Sequence, residues 1–194
     1  MPVRRSAKPS ADRILEAAEE VFAEHGYADV SLRQLIAAAG VSTTAFYARF
    51  DGKAAVLAAL IDNLFTGLHR EAAATLGHAR SLEDGIDRGV DLLLAQLGPR
   101  QPLVRLVLAE AGAHGSAARS RSYALLAGFL AHRLRGLAER GRIGVADPDA
   151  LAWALVGALE IHVVRWAVWN ELTLAELRTQ LRAAARAILP KEPS

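Results

Sequence analysis

The chain has no cysteine. That excludes a disulfide framework and a thiolate metal site, and it fits a reducing compartment, so the expected location is cytoplasmic. No apolar h-region follows the early arginines, so no signal peptide is expected. Period-two alternation is absent, which argues against strands. The longest apolar stretch, Leu151 to Trp169, is broken by Glu160, His162 and Arg165. A membrane span would bear those charges at high cost, so the stretch reads as a buried soluble helix and no membrane partner is expected. Charge of one sign is also scarce: the net charge is +2. That is too small to argue for nucleic-acid binding by itself.

What is present is a hydrophobic fraction of 52% in 194 residues, enough to bury a sizeable core. Residues 31–53, SLRQLIAAAGVSTTAFYARFDGK, organise the rest. Ser31 is a good N-cap, and Leu32, Leu35 and Ile36 share one helical face. Gly40 follows an alanine run where a chain can leave a helix with positive φ. Ser42 or Thr43 can cap a second short helix whose inner face is Phe46, Tyr47 and Phe50. Two short helices around a tight glycine turn make a helix-turn-helix, which lays its second helix in the DNA major groove. Its outer side would carry Ser42, Thr43, Thr44, Tyr47 and Arg49, with Lys53 placed to meet a phosphate. The bland alternative is a helical hairpin with polar caps.

The chain reads as all-α, about nine helices in total. A basic arm, disordered over residues 1–9, carries Arg4, Arg5 and Lys8, and Arg13 against Asp12 extends its basic charge. It is either a DNA-contacting arm or a solvated terminus. A small three-helix domain spans residues 10–53, with Ile14, Ala18, Val21, Phe22, Leu32, Leu35, Phe46 and Phe50 as its core. Glu16, Glu19, Glu20 and Glu24 turn the face of its first helix away from a phosphate backbone. A larger helical domain, assigned to ligand binding and dimerisation, spans residues 54–190. Its helices are expected from Ala54 to Leu76, from the Ser81 cap to Leu97, from Gln101 to Ala113, and from Ser116 to Glu139. The region Ala111–Ala118, with Gly112 and Gly115, is expected to break or loop. Asp147 caps and Pro148 starts the next helix, to about Trp169, and Thr173 caps the last.

The last two helices suit a subunit interface, in which twofold pairing makes a four-helix contact. Leu151, Leu155, Ala158, Leu174, Leu177, Leu181, Ala185 and Ile188 are its candidate residues. Burial within one subunit is the alternative. Phe65, His69, Val107, Phe129, Trp153, His162 and Trp166 are candidate walls of a ligand pocket, though each could equally be core. Glu160, His162 or Arg165 could supply the pocket with a polar group. The six histidines form no ligand pair at i, i+4, and no HExxH, phosphate loop or GxSxG occurs. No metal, cofactor or catalytic activity is therefore expected.

The segment HGYADVSLRQLIAAAGVSTTAFYARFDGK resembles the DNA-binding segment of the TetR family of transcriptional regulators. Gly26-Tyr27, Ser31, Ala39-Gly40-Val41-Ser42, Phe46-Tyr47, Phe50 and Lys53 carry the likeness, over about Ser10 to Leu57. It implies a bacterial homodimer that binds a palindromic double-stranded DNA operator, usually represses, and is released by a small-molecule effector. By position, Ser31 and Lys53 look like phosphate contacts. Ser42, Thr43, Thr44, Tyr47 and Arg49 fall on the recognition helix, and Arg33 is a further contact. Ile36, Thr44 and Ala54 depart from the residues usual there. The competing reading is an all-α small-molecule or lipid-binding protein, or an enzyme, in which the helix-turn-helix is incidental.

Overall fold

The computed structural model describes residues 9–110 and 112–190. The basic arm, apart from Pro9, lies outside the described residues. Among those residues the chain forms nine α-helices and no strand.

Three short helices make the N-terminal head. Helix α1 (Ser10–His25) buries Ile14, Ala17, Ala18 and Phe22, which recur at three- and four-residue spacing. Helix α2 (Leu32–Ala39) opens on a reciprocal capping box. The Ser31 hydroxyl accepts from the Gln34 backbone N–H, and the Gln34 side chain accepts from the Ser31 N–H. It ends at Gly40 with φ 60°, the left-handed conformation in which glycine carries no Cβ penalty. Helix α3 (Thr43–Tyr47) is capped by Ser42, whose hydroxyl accepts from the Ala45 N–H at 3.1 Å. Of the eight expected core residues, Ile14, Ala18, Phe22, Leu35 and Phe46 are buried, while Val21, Leu32 and Phe50 pack partly exposed against them.

Helix α4 (Lys53–Gly77) leaves the head without a linker. Val56, Leu57, Leu60 and Ile61 lie in one continuous apolar cluster that runs from Ile14 of the head to Leu181 of the last helix. The body adds α5 (Leu82–Leu97), α6 (Gln101–Arg105), α7 (Gly112–Glu139), α8 (Pro148–Ala167) and α9 (Leu174–Ile188). Residue 111 lies outside the described residues, and helical backbone runs from Gly112 through the rest of the expected break at Ala111–Ala118. A glycine costs a helix interior only about 1 kcal/mol, which packing against α4 and α8 offsets. The irregularity falls earlier instead: Leu106–Glu110 winds as a wider π turn continuing α6.

Helix α9 corrects the expected interface. Leu177 and Leu181 are 0% exposed and Leu155 is 7% exposed, so all three sit inside the chain's own core. Leu151, Ala185 and Ile188 pack partly buried against a second apolar cluster of this subunit, whereas Ala158 is half-buried and Leu174 stays 40% exposed. The stripe on α9 closes the subunit against α5 and α8. Charge pairing fixes it there. Arg182 meets Asp87 at 2.8 Å and Asp91 at 3.1 Å, while Arg186 binds Glu83 and lies 3.3 Å from Asp87. These arginines and carboxylates recur four residues apart on their helices, so one face of α9 meets one face of α5. The large apolar residues left outside include Leu125, Trp153 and Ile161, on α7 and α8.

The hydrogen bond from Arg186 holds Glu83 below the usual carboxylate range. A depressed folded-state pKa contributes stability above the unfolded value, and that contribution is lost as pH falls through the folded value. Thermal unfolding followed by circular dichroism should therefore show Tm falling on acidification through the carboxylate range. Arg186→Ala should shallow that fall. An unchanged acid slope in the variant would remove the seam from the explanation.

Candidate nucleic-acid interface

The helix-turn-helix is held by two basic side chains that turn inward. Arg13 of α1 donates from Nη2 to the Ala39 carbonyl at 2.9 Å and to the Gly40 carbonyl at 2.6 Å. It thereby satisfies two carbonyls left open at the C-terminus of α2. A Cβ at residue 40 would lie 2.8 Å from that nitrogen and displace the Arg13 guanidinium, while the φ of 60° is what favours glycine there. Lys53, the first residue of α4, donates from Nζ to the carbonyls of Tyr27 (2.5 Å), Val30 (2.8 Å) and Ala28 (3.3 Å). Its ammonium also lies 4.3 Å from the Tyr27 ring centroid. An ammonium has three N–H donors, and here three carbonyls of the α1–α2 connection take them.

These contacts set where the expected DNA residues stand. Ser31, Arg33, Ser42, Thr43, Thr44, Tyr47 and Arg49 are all exposed, on the N-terminal ends of α2 and α3 and the outer side of α3. Tyr47 is 53% exposed, while its neighbour Phe46 is 0% exposed and meets it edge-on at 5.6 Å. Two consecutive residues therefore place an apolar root and an exposed hydrogen-bonding rim on different sides of α3. Lys53 is the exception, because its ammonium is committed to the backbone of the head. Ile36, one of the departures from the usual pattern, packs partly buried against the core.

The head is tied to the body a second time. Arg100, just before α6, donates to Glu19 of α1 through Nε at 2.8 Å and Nη2 at 2.6 Å, a bidentate pair. That hydrogen bond raises the Arg100 pKa further above its ordinary value. Arg105 donates to the Ala167 carbonyl at 2.8 Å and to Asn170 Oδ1 at 3.1 Å, fixing α6 to the end of α8. A cleft of about 630 Å³ lies between the end of α1 and α6, lined by Glu24, His25, Asp29, Gln101 and Arg105 among others.

The expected pocket residues separate into three places. Phe65, His69 and Phe129 meet at the α4–α7 seam, with His69 and Phe129 edge-on at 6.3 Å. His69 Nδ1 pairs with the Phe65 carbonyl at 3.1 Å. Val107 and Trp166 are core residues, 2% and 5% exposed. Trp153 is 51% exposed on the outside of α8, and His162 Nδ1 pairs with its own helix at the Ala158 carbonyl, 2.6 Å away. The seven residues do not share one cavity wall, because a helical repeat of apolar residues reports burial without saying against what. Sequence reading missed Arg13, Glu19 and Arg100, whose partners lie 26 to 81 residues away.

This fold is a small helix-turn-helix head carried by a larger helical body. Residues 14–60 match the family described as bacterial regulatory proteins, tetR family. That segment is of the TetR family. Over 77 residues the chain is 39% identical to the uncharacterized HTH-type transcriptional regulator TtgW of Pseudomonas putida, covering 40% of this chain and 58% of that protein. Over 88 residues it is 39% identical to the HTH-type transcriptional repressor AcnR of Corynebacterium glutamicum, covering 44% and 42%. The chain thus spans about half the length of the curated relatives it matches. Among solved structures, a TetR-family transcriptional regulator from Pectobacterium atrosepticum superposes with TM-score 0.74 at 26% identity, covering 98% of this chain and 100% of that one. The fatty acid degradation regulator FadR from Bacillus halodurans superposes with TM-score 0.82 at 21% identity, covering 95% and 97%. The all-helical TetR-type fold therefore extends over the whole described chain.

Because Lys53 bonds the head internally, Lys53→Ala should lower stability by about 1–2 kcal/mol, the scale of losing charge-assisted hydrogen bonds at a half-buried site. Tyr47→Ala, on the rim, should stay within about 0.5 kcal/mol of the parent. Urea unfolding of the two variants measures both. Equal stability of Lys53→Ala and the parent would contradict the clamp.

Proposed function

We propose that the chain is a DNA-binding transcriptional regulator, working as a homodimer that represses from a palindromic operator and is released by a small molecule. The observation that carries this reading is the rim of α3. Ser42, which caps α3, Thr43, Thr44 and Tyr47 on it, and Arg49 in the turn that follows stand exposed around a helix whose other side is anchored by Phe46 and whose preceding turn is held by Arg13. A polar rim on a rigid root suits contacts to base edges and phosphates. Ser31 and Arg33, at the start of α2, are placed for backbone phosphates. Lys53 shapes this surface from within.

The partner subunit seats on the α7–α8 hairpin in this reading. The two helices run antiparallel, with Arg135 and Asp149 paired at 2.8 Å near the turn. Leu125 and Ile161 project from them, and a Cβ added at Gly128 or Gly157 would meet nothing within 4 Å. Large apolar side chains alternating with bare backbone let two hairpins approach closely into a four-helix contact. Such an exposed apolar surface is otherwise costly to leave in water. The twofold pairing would set the two α3 helices on the order of 34 Å apart, one turn of DNA.

Two measurements test this. In gel shifts at fixed salt on DNA flanking its own gene, Tyr47→Ala and Arg49→Ala should each weaken binding by roughly 1–3 kcal/mol with helicity kept. Undiminished affinity in both variants removes α3 as the reading helix. In sedimentation, Ile161→Glu should give monomers. Arg178→Glu, on the α9 seam beside Asp91, should lower stability and leave association intact. The reverse pattern returns the interface to α9.

A further inference from the structure

The helical body contains a second polar cluster that the DNA surface does not use. A groove of about 310 Å³ between α7 and α8 is lined by Arg119, Ser120, Tyr123, Trp153 and Glu160. We propose that this groove is the effector site and that it takes a small zwitterion, a molecule bearing both an ammonium and a carboxylate on an apolar body. The inference rests on the regulator reading above and supplies its ligand class.

The groove offers one charge of each sign, and neither is neutralised by an ion pair within the described residues. Glu160 shares the groove lining with Tyr123, whose hydroxyl pKa is pushed up by burial and by the neighbouring carboxylate. Arg119 spends Nη1 on two backbone carbonyls, Val107 at 3.1 Å and Leu108 at 3.4 Å. Partly buried charges with neutral partners gain from a counter-ion delivered with the right geometry. A ligand ammonium would meet Glu160, and its carboxylate would meet the guanidinium of Arg119. A ligand with a cation alone leaves Arg119 repelling it, and one with an anion alone leaves Glu160 doing so. The rings of Tyr123 and Trp153 supply an apolar and cation-accepting wall. The volume is at the small end for ligand sites, which suits a molecule of amino-acid size.

The groove also touches both connections to the head. The Tyr123 ring meets Phe65 of α4 edge-on at 5.7 Å, and α4 begins at the Lys53 clamp. Arg119 holds the π turn that continues α6, whose other end follows the Arg100–Glu19 pair. A ligand carboxylate competes with the Val107 and Leu108 carbonyls for Arg119, so occupancy loosens the π turn while loading Tyr123 against α4. That gives the ligand different contacts in the two head positions, the condition for shifting their populations.

The test uses the full-length dimer and two ligand sets: L-phenylalanine with 2-phenylethylamine and 3-phenylpropionate, and L-leucine with its amine and acid counterparts. Tryptophan fluorescence reports binding, and a gel shift on DNA flanking the gene reports release. At least one amino acid should bind roughly tenfold or more tighter than either of its single-charge counterparts. Glu160→Gln, folded by circular dichroism, should abolish that advantage over the acid counterpart. Equal binding of all three members of both sets, no binding by any, or an unchanged preference in Glu160→Gln would each overturn the proposal. If unliganded protein shifts the DNA but no zwitterion preference exists, the groove assignment fails alone. If unliganded protein does not shift the DNA, the regulator reading fails and the effector assignment falls with it.

Discussion

The bond set of Lys53 is the constraint on which the rest depends. One ammonium holds three carbonyls of the α1–α2 connection, and it does so from the first residue of the helix that enters the body. The head is therefore stapled to α4 at its own loop. Arg13 does the same for the turn between α2 and α3. With both in place, α3 needs few residues of its own. Five helical residues would be unstable in isolation, yet α3 is rooted by Phe46 and held at its leading turn. The arginine pair at Arg100 and Glu19 adds a second connection, so head and body share one apolar core and two polar links. Any change in the body that moves α4 or α6 is transmitted to α3 through bonds of known direction.

The body divides its charge and its apolar surface between two sides. On one side α9 lies on α5 through arginines facing carboxylates, over a buried stripe of leucines. Exposed ion pairs of this kind contribute little singly, but a row of them specifies which faces meet. On the other side α7 and α8 leave Leu125, Trp153 and Ile161 largely exposed. A helix such as Pro148–Ala167, apolar enough by composition to pass for a membrane span, keeps Glu160 and Arg165 and is about one-third buried. Its remaining apolar surface is the seat proposed for a second copy.

Much of this was legible in the residues. The capping signals at Ser31, Ser81, Asp147 and Thr173 each mark a helix start found in the structure, because an N-cap is a local hydrogen bond within a few residues. Gly40 and the buried series Ile14, Ala18, Phe22 were equally local. Partners were harder. Lys53 reads as a phosphate ligand by position, but its neighbours in space are carbonyls, which carry no sequence signature. The apolar stripe on α9 fits an interface or a core equally well. The discriminating signal was present but unread: Glu83, Asp87 and Asp91 recur at the same spacing as Arg178, Arg182 and Arg186. Those two matched stripes predict that α9 docks on α5. The glycines at 112 and 115 read as breakers, yet helical backbone runs through both.

The central claim is that two copies of this head read DNA together through α3. Hydroxyl-radical footprinting on DNA flanking the gene addresses it most directly. The account predicts two protected half-sites related by a dyad, with centres about one turn of DNA apart. Protection of a single unpaired half-site, or none at low salt, would contradict it.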